Sequence, residues 1–369
     1  MLVLSASVSV TLLLGCGSQF RSSGSSQSAT TSSPSLDCTP NGGAEGVGIN
    51  QSDVVLQSLE TPNIIAALQQ SGAQWVRIKL PWAETEPRRG VFDWSASDGA
   101  LNSLQAANIN VLVILDGPVP CWAVPGVTGC AFPYNSSVPA EQWAGFVTAA
   151  VTRYSNKVHY WEIWNEPNLT TYLDITDPRQ RLITYRDNIL APAAQSIRQV
   201  DPTANLVGPA FGMTDLGGDA LPNPELQAAL SLVLSGSSAS NLDIISLHSY
   251  YPETAYQKAA AAHLAMKSAG IPNRPVWITE DGADLTSFPP STDPEGERAA
   301  FLASEINTTL VSGGADKLFW FGLLDAETSA GTHLNNYGLI DNLNYTTYPW
   351  TPRESYTVLQ TIIKNGCGI

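Results

Sequence analysis

The chain has 369 residues, of which 43% are hydrophobic and 14% charged, with a net charge of −15. That is enough apolar material for a sizeable core, and the acidic balance argues against nucleic acid and anionic membrane surfaces as partners. Five cysteines without a Cys-x-x-Cys pair and four scattered histidines (His159, His248, His263, His333) give no metal-ligand spacing, so no metal or other cofactor is expected.

Taken in chain order, residues 2–15 are small and apolar and end Leu13-Leu14-Gly15-Cys16. This resembles a bacterial lipobox: residues 1–15 as a lipoprotein-type signal peptide, Cys16 lipidated, and residues 16–37 a Ser/Thr/Gly-rich flexible tether. No Lys or Arg precedes the apolar run, which departs from the usual signal, so an ordinary cleaved secretory signal is the alternative. The stretch is shorter than the ~20 residues that a membrane span needs. The expectation is an exported protein, held at the cell envelope or secreted, that meets the membrane only through its lipid and works as a monomer. In such a compartment Cys121 and Cys130 are candidates to staple one loop, and Cys38 and Cys367 to join the ends of the domain; connectivity stays open at this level.

From residue 38 to 369, short β-rich runs alternate with longer helical patterns. Strands are predicted at 46–50, 75–80, 110–115, 158–164, 206–208, 243–247, 276–279 and 317–321. Helices are predicted at roughly 54–72, 96–107, 140–156, 177–200, 223–235, 254–269, 294–312 and 353–364. In the third of these, Trp143, Phe146, Val147, Ala150, Val151 and Tyr154 recur at helical spacing and form one apolar face. Eight strands alternating with helices, and no glycine-rich phosphate fingerprint, predict an α/β fold of the closed (β/α)₈ TIM-barrel kind in a single domain.

In such a barrel the carboxyl ends of all strands face one mouth. Collecting those ends brings together Arg77, then Trp82 and Glu84, from the second strand, and Asp116, with Trp122 in its loop, from the third. The fourth ends Asn165-Glu166 before Pro167, which cannot extend a ladder. The sixth supplies His248 and Tyr250, the seventh Glu280, and the eighth Trp320 and then Asp325. Two glutamates on strand ends of one mouth suit glycoside hydrolysis, in which a carboxylic acid protonates the leaving oxygen and a carboxylate stands opposite. Glu166 then has to hold a proton at rest, and Glu280 has to be ionised, with Arg77 and Tyr250 as its hydrogen-bond partners. Asn165 is placed to donate to a sugar hydroxyl, and Trp82, Trp122, Trp320 and Asp116 are the candidate substrate contacts. Each has a plainer reading: Arg77 neutralising Glu162, His248 as a satisfied interior histidine, Trp122 packing on a disulfide, and Glu84, Glu86 and Asp93 as solvated or structural turn residues.

The runs Trp164-Asn165-Glu166-Pro167-Asn168, Ile278-Thr279-Glu280, His248-Ser249-Tyr250, Val76-Arg77 through Trp82, Glu86 to Trp94, and Tyr337-Gly338-Leu339-Ile340-Asp341 together resemble glycoside hydrolase clan A. That resemblance implies a retaining (β/α)₈ glycosidase with Glu166 as acid/base and Glu280 as nucleophile, acting on β-glycosidic bonds of an extracellular polysaccharide or oligosaccharide. Within the clan the combination is most similar to family 39, with family 5 second. β-Xylosidase and endoglucanase are the alternatives within the class, and a transglycosylase or a non-catalytic carbohydrate-binding barrel the alternatives outside it. No β-sandwich pattern follows the barrel, which favours a compact endoglycosidase over an exo-acting β-xylosidase.

Overall fold

A computed structural model describes residues 44–52, 59, 62–124, 137–212, 224–252, 254–288, 291–312, 314–327, 333–334, 337–341 and 350–365. The expected signal peptide and tether, and Cys16, Cys38, Cys130 and Cys367, lie outside the described residues. Cys121, within them, is disulfide-bonded.

Eight parallel strands run β1 (Val47–Asn50), β2 (Trp75–Pro81), β3 (Asn110–Asp116), β4 (Tyr160–Ile163), β5 (Asn205–Phe211), β6 (Ile244–Tyr250), β7 (Val276–Gly282) and β8 (Lys317–Phe321). They close in sequence order into one barrel, with β1 pairing both β2 and β8. Between and after them lie α1 (Pro62–Ser71), the one-turn α2 (Trp82–Thr85), α3 (Ser95–Ala106), α4 (Ala140–Tyr154), α5 (Pro178–Thr184), α6 (Ala191–Val200), α7 (Pro224–Val233), α8 (Ala255–Ser268), α9 (Pro294–Ile306) and α10 (Glu354–Asn365). A π-helical turn at Tyr185–Leu190 joins α5 to α6, so the predicted 177–200 helix is continuous. Asp177 starts it, its carboxylate accepting from the Gln180 N–H at 2.7 Å ahead of Pro178. The last helix returns to the first, where the Tyr356 hydroxyl donates to Ala67 O at 2.8 Å.

Both faces of these strands are covered, which is why they read as nearly continuous apolar runs in the sequence. Alternation sorts them. On β2, Trp75, Arg77 and Lys79 share the inward face, while Val76, Ile78 and Leu80 pack against the helices. The floor of the barrel is a separate apolar layer of Trp75, Leu112, Val207, Ile244, Trp277 and Phe319, with Tyr160 against it. β1 contributes Gly48 here: a Cβ at that position would lie 2.5 Å from the Phe319 ring, so only glycine lets the ring fill the floor. Above this layer the inward positions turn polar and charged.

Strand ends differ from expectation in an informative way. β4 stops at Ile163 rather than at Glu166, because Trp164 (φ 69°) and Glu166 (φ 41°) adopt left-handed backbone that no ladder accommodates. β6 and β7 run further than predicted, to Tyr250 and Gly282, so His248 and Glu280 lie inside strands. The register between them shifts just before His248↔Glu280, which rotates Glu280 into the barrel. Short pairs β9 (Ala326–Glu327) with β10 (His333–Leu334), and β11 (Ile340–Asp341) with β12 (Thr351–Pro352), follow the barrel and were not legible from periodicity. Among the described residues no helix is long and apolar enough to cross a membrane.

Candidate active site

Arg77 stands at the centre of the mouth with none of its surface exposed. Its Nε donates to Glu162 Oε2 at 2.6 Å, and its Nη1 to Glu280 Oε1 and to Asn50 Oδ1, the latter at 3.3 Å. Its Nη2 donates to Asn165 Oδ1 at 3.0 Å and lies 3.3 Å from His248 Nε2. Both sequence readings of Arg77 therefore hold together: it neutralises Glu162 and binds Glu280. Burial works against its charge, but the two carboxylates outweigh that and raise its pKa.

Glu280 receives a second hydrogen bond from the Tyr250 hydroxyl, at 2.5 Å to Oε2. Burial alone would raise its pKa. The charges of His248, when protonated, and of Arg77, with the hydrogen bonds from Tyr250 and Arg77, pull it down to about 2. Glu280 is thus held ionised. Facing it, Glu166 Oε1 lies 2.9 Å from His248 Nδ1, and the same Nδ1 is 3.4 Å from Glu280 Oε2. A guanidinium can only donate, so in the neutral tautomer that suits this contact Nε2 carries the lone pair and Nδ1–H points between the two carboxylates, and in the protonated ring Nδ1–H points the same way. One atom each from Glu166, His248 and Glu280 lies within 4.8 Å of the others. The same three atoms have spacing that would admit a cation, but the guanidinium on Glu280 Oε1 already supplies the complementary charge.

Asp116, at the end of β3, pairs with Lys79 Nζ at 3.3 Å, and burial raises its pKa against that charge. Beside Glu280 an aromatic group forms: Tyr250 to Phe321 at 5.7 Å, Tyr250 to Tyr337 at 5.5 Å and Phe321 to Tyr337 at 5.5 Å. Burial, Asp284 and Glu280 push the Tyr337 hydroxyl up to about 12.

Two of the expected substrate contacts sit elsewhere. Trp82 is fully buried, its Nε1 donating to Glu86 Oε2 at 2.9 Å and its ring packed on Phe146 at 5.8 Å and Trp143 at 5.5 Å. Trp320 is also fully buried and faces the helices, against Phe301 of α9 at 6.2 Å. Phe319 and Phe321, its neighbours, take the inward positions. Trp122 is half-buried and committed through its Nε1, which donates to Glu86 O at 2.8 Å. Asp325 is tied to Arg353 at 2.6 Å and to the Gly338 N–H at 2.8 Å, a structural role. Lys79, Phe321, Asn50 and Tyr337 are members of the mouth that the collected strand ends missed. Strand alternation from Arg77 points to Lys79, and alternation from Phe319 points to Phe321; Asn50 is simply the end of the first strand. Tyr337 stands in the family-like run 337–341, with nothing local in the sequence to place it beside Glu280.

Comparison with known proteins gives a consistent picture. The sequence model of glycosyl hydrolases family 39 matches residues 135–278, and a β-galactosidase family model matches residues 58–125. The first includes Asn165, Glu166, His248 and Tyr250 and ends just short of Glu280. Among solved structures the chain is similar to a family 39 glycoside hydrolase from the gut symbiont Bacteroides cellulosilyticus WH2, at 18% identity and a TM-score of 0.61 over 88% of this chain. It is similar to the family 39 enzyme from Xanthomonas axonopodis pv. citri, at 16% identity and a TM-score of 0.63 over 90% of the chain. A family 1 β-glucosidase from Thermotoga maritima superposes over 90% of this chain and 100% of its own, at 13% identity and a TM-score of 0.62. The chain spans 64% of the length of the first of these structures and 68% of the second.

Proposed function

We propose that this clan A glycoside hydrolase, most like family 39, cleaves β-glycosidic bonds with retention of configuration, with Glu166 as acid/base and Glu280 as nucleophile. The observation that carries the reading is the pairing of two buried carboxylates across His248 Nδ1, with oxygens within 4.8 Å, of which one is held ionised by Arg77 and Tyr250. In the first step Glu280 attacks the anomeric carbon while Glu166 gives its proton to the leaving oxygen. In the second, Glu166 takes a proton from water, which attacks the same carbon and releases Glu280. Asn165, held by Arg77, offers its amide to a sugar hydroxyl next to the reacting carbon, and Tyr250, Phe321 and Tyr337 offer an apolar wall for a sugar face. Asp116 with Lys79 offers an acceptor and a donor to other hydroxyls.

The substrate is an extracellular oligosaccharide or polysaccharide. This part of the proposal rests on the lipobox-like Leu13-Leu14-Gly15-Cys16 and the Ser-rich tether, and on a composition with only 14% charged residues, which suits neutral glycans. Incorporation of labelled palmitate, lost in Cys16→Ser, tests the anchor.

The activity is tested on a panel of glycans and aryl β-glycosides. Glu166→Gln is expected to lower turnover by about 10²–10⁴-fold, the range for removal of a general acid, and Glu280→Gln by at least as much. NMR of the first-formed product is expected to show the β anomer. Unchanged activity in both variants, or an α product, would overturn the assignment. Adding an acceptor sugar and analysing products separates hydrolysis from glycosyl transfer, and binding without turnover across the panel would mark a carbohydrate-binding barrel instead.

A further inference from the structure

Glu166 holds a backbone conformation that a non-glycine residue adopts only when its surroundings enforce it, with φ at 41°. Its own main chain is tied twice: its N–H donates to Ala210 O at 3.1 Å, and its carbonyl accepts from the Leu169 N–H at 2.9 Å. The ladder between β4 and β5 has ended by then, at Glu162↔Val207. Past that point the side chain of Asn168 replaces it. Asn168 Oδ1 accepts from the Gly212 N–H at 2.9 Å, and Asn168 Nδ2 donates to Gly212 O at 3.2 Å. A primary amide thus pairs with a peptide as the edge of a neighbouring strand would.

Gly212 is also the wall against which the Glu166 carboxylate rests. A methyl group there would lie 2.5 Å from Glu166 Oε1 and 2.6 Å from its Cδ. The main-chain carbonyl of Asn168 accepts from Nη1 of the buried Arg181, whose Nε donates to Ile175 O at 2.8 Å. The loop after β4 is therefore fastened to its own helix on one side and to the end of β5 on the other. On its free side Glu166 meets His248 Nδ1 at 2.9 Å.

We propose that Asn168 is a positioning residue for the acid/base: through its paired hydrogen bonds to Gly212 it sets the place of the Glu166 carboxylate between Gly212 and His248. This rests on Glu166 being the acid/base. Both polar atoms of the Asn168 side chain are committed to Gly212, so its removal acts on proton transfer and leaves attack by Glu280 intact.

The test uses the full chain and two aryl β-glycosides of the sugar selected by the panel, one with a 2,4-dinitrophenyl leaving group and one with phenyl. A leaving group as good as dinitrophenolate departs without a proton, whereas phenolate needs one. Asn168→Ala is expected to lower kcat/KM on the phenyl glycoside about 10–100-fold and to change it less than about threefold on the dinitrophenyl glycoside. On the latter, kcat is expected to fall with KM, because water attack has lost its base, and azide is expected to restore kcat and give a β-glycosyl azide. The isosteric Asn168→Asp keeps the acceptor for the Gly212 N–H and loses the donor, so it serves where the alanine variant does not fold; the same selectivity for the poor leaving group is expected. Equal losses on both glycosides, or no loss on either, overturn the proposal. Glu166→Ala run beside them separates the two readings: if it shows no leaving-group selectivity and no azide rescue, the assignment of the acid/base has failed; if it shows both and the Asn168 variants do not, only the positioning role has.

Discussion

At Arg77 one buried guanidinium answers two carboxylates, Glu162 and Glu280, and an amide, Asn165, through three separate nitrogens. Only a planar fork spans these partners, and a lysine ammonium is a single point of charge on a flexible stem. Among the described residues Glu162 Oε1 has no hydrogen-bond partner, so Glu162 depends on Arg77 for its charge balance. Arg77→Lys is therefore expected to leave one carboxylate uncompensated, lowering stability by about 3 kcal/mol and turnover by at least tenfold. It also removes a cause that lowers the Glu280 pKa, so the acidic limb of the pH–rate profile is expected to move to higher pH. Thermal unfolding and kcat/KM against pH check the two halves; an acidic limb that stays in place would show that Tyr250 and His248 suffice for Glu280. The residue types at this site were legible because a strand-end Asn-Glu before proline and a second strand-end glutamate are chemically unusual. Glu162 and Arg77 pairing was open in the sequence, since two inward charges on different strands can meet or miss by one register step.

At the scale of elements, parity decides which aromatic side chains reach the mouth. Phe319, Trp320 and Phe321 alternate in, out and in along β8, and only the inward pair belongs to the barrel interior. Choosing Trp320 by residue type overlooked that alternation, which becomes certain only once the floor layer is known. Trp82 follows the same logic one residue past β2, where the chain turns into the short α2 and carries the indole outward onto α4. Trp82→Phe is expected to lower stability by about 1–3 kcal/mol, because it leaves Glu86 Oε2 without its donor, and to leave KM for the best glycan within about twofold. Phe321→Ala is expected to raise KM several-fold, since it strips the wall beside Glu280. The reverse outcome in this pair of variants would return Trp82 to the substrate. The left-handed residues Trp164 and Glu166 mark the other place where an element ended early. Backbone of that kind is held by contacts to β3 (Leu115), β5 (Ala210) and β6 (His248), and no local preference of a tryptophan or glutamate announces it.

At the scale of the whole molecule, the buried polar groups outside the mouth set the response to pH. Behind β7, Asp281 and Glu305 lie close together with Lys258 of α8, and Glu305 accepts from the Ala255 N–H at 2.7 Å. Burial raises Glu305 to about 7 from an ordinary 4.5 and raises Asp281 as well, Glu305 adding to the latter. A carboxyl whose folded pKa is raised favours the fold while protonated, and that contribution is lost as pH rises from about 4.5 through about 7. Glu305→Gln keeps an oxygen for Ala255 and cannot ionise. Its melting temperature is expected to exceed the parent's by about 2 °C or more at pH 8 and to match it near pH 5; equal melting temperatures at both pH values would show that Lys258 compensates the charge in full. Within the described residues the order and kind of the eight barrel strands and of the long helices followed from the sequence alone, because eight apolar runs separated by amphipathic helices leave few ways to bury both faces of every strand. The meeting of Glu166 and Glu280 in one mouth was legible too, because a carboxylate at the end of a buried run is costly to hold there unless it has a partner or a chemical use. The tertiary structure alone decided how strands align by single residues and where the backbone turns left-handed. It thereby decided that Phe321 rather than Trp320 faces the mouth, that Lys79 meets Asp116, and that Asn168 reaches Gly212. Those outcomes depend on register and bulges, whose energies are small beside the burial that selects the fold and are spread over residues distant in the chain.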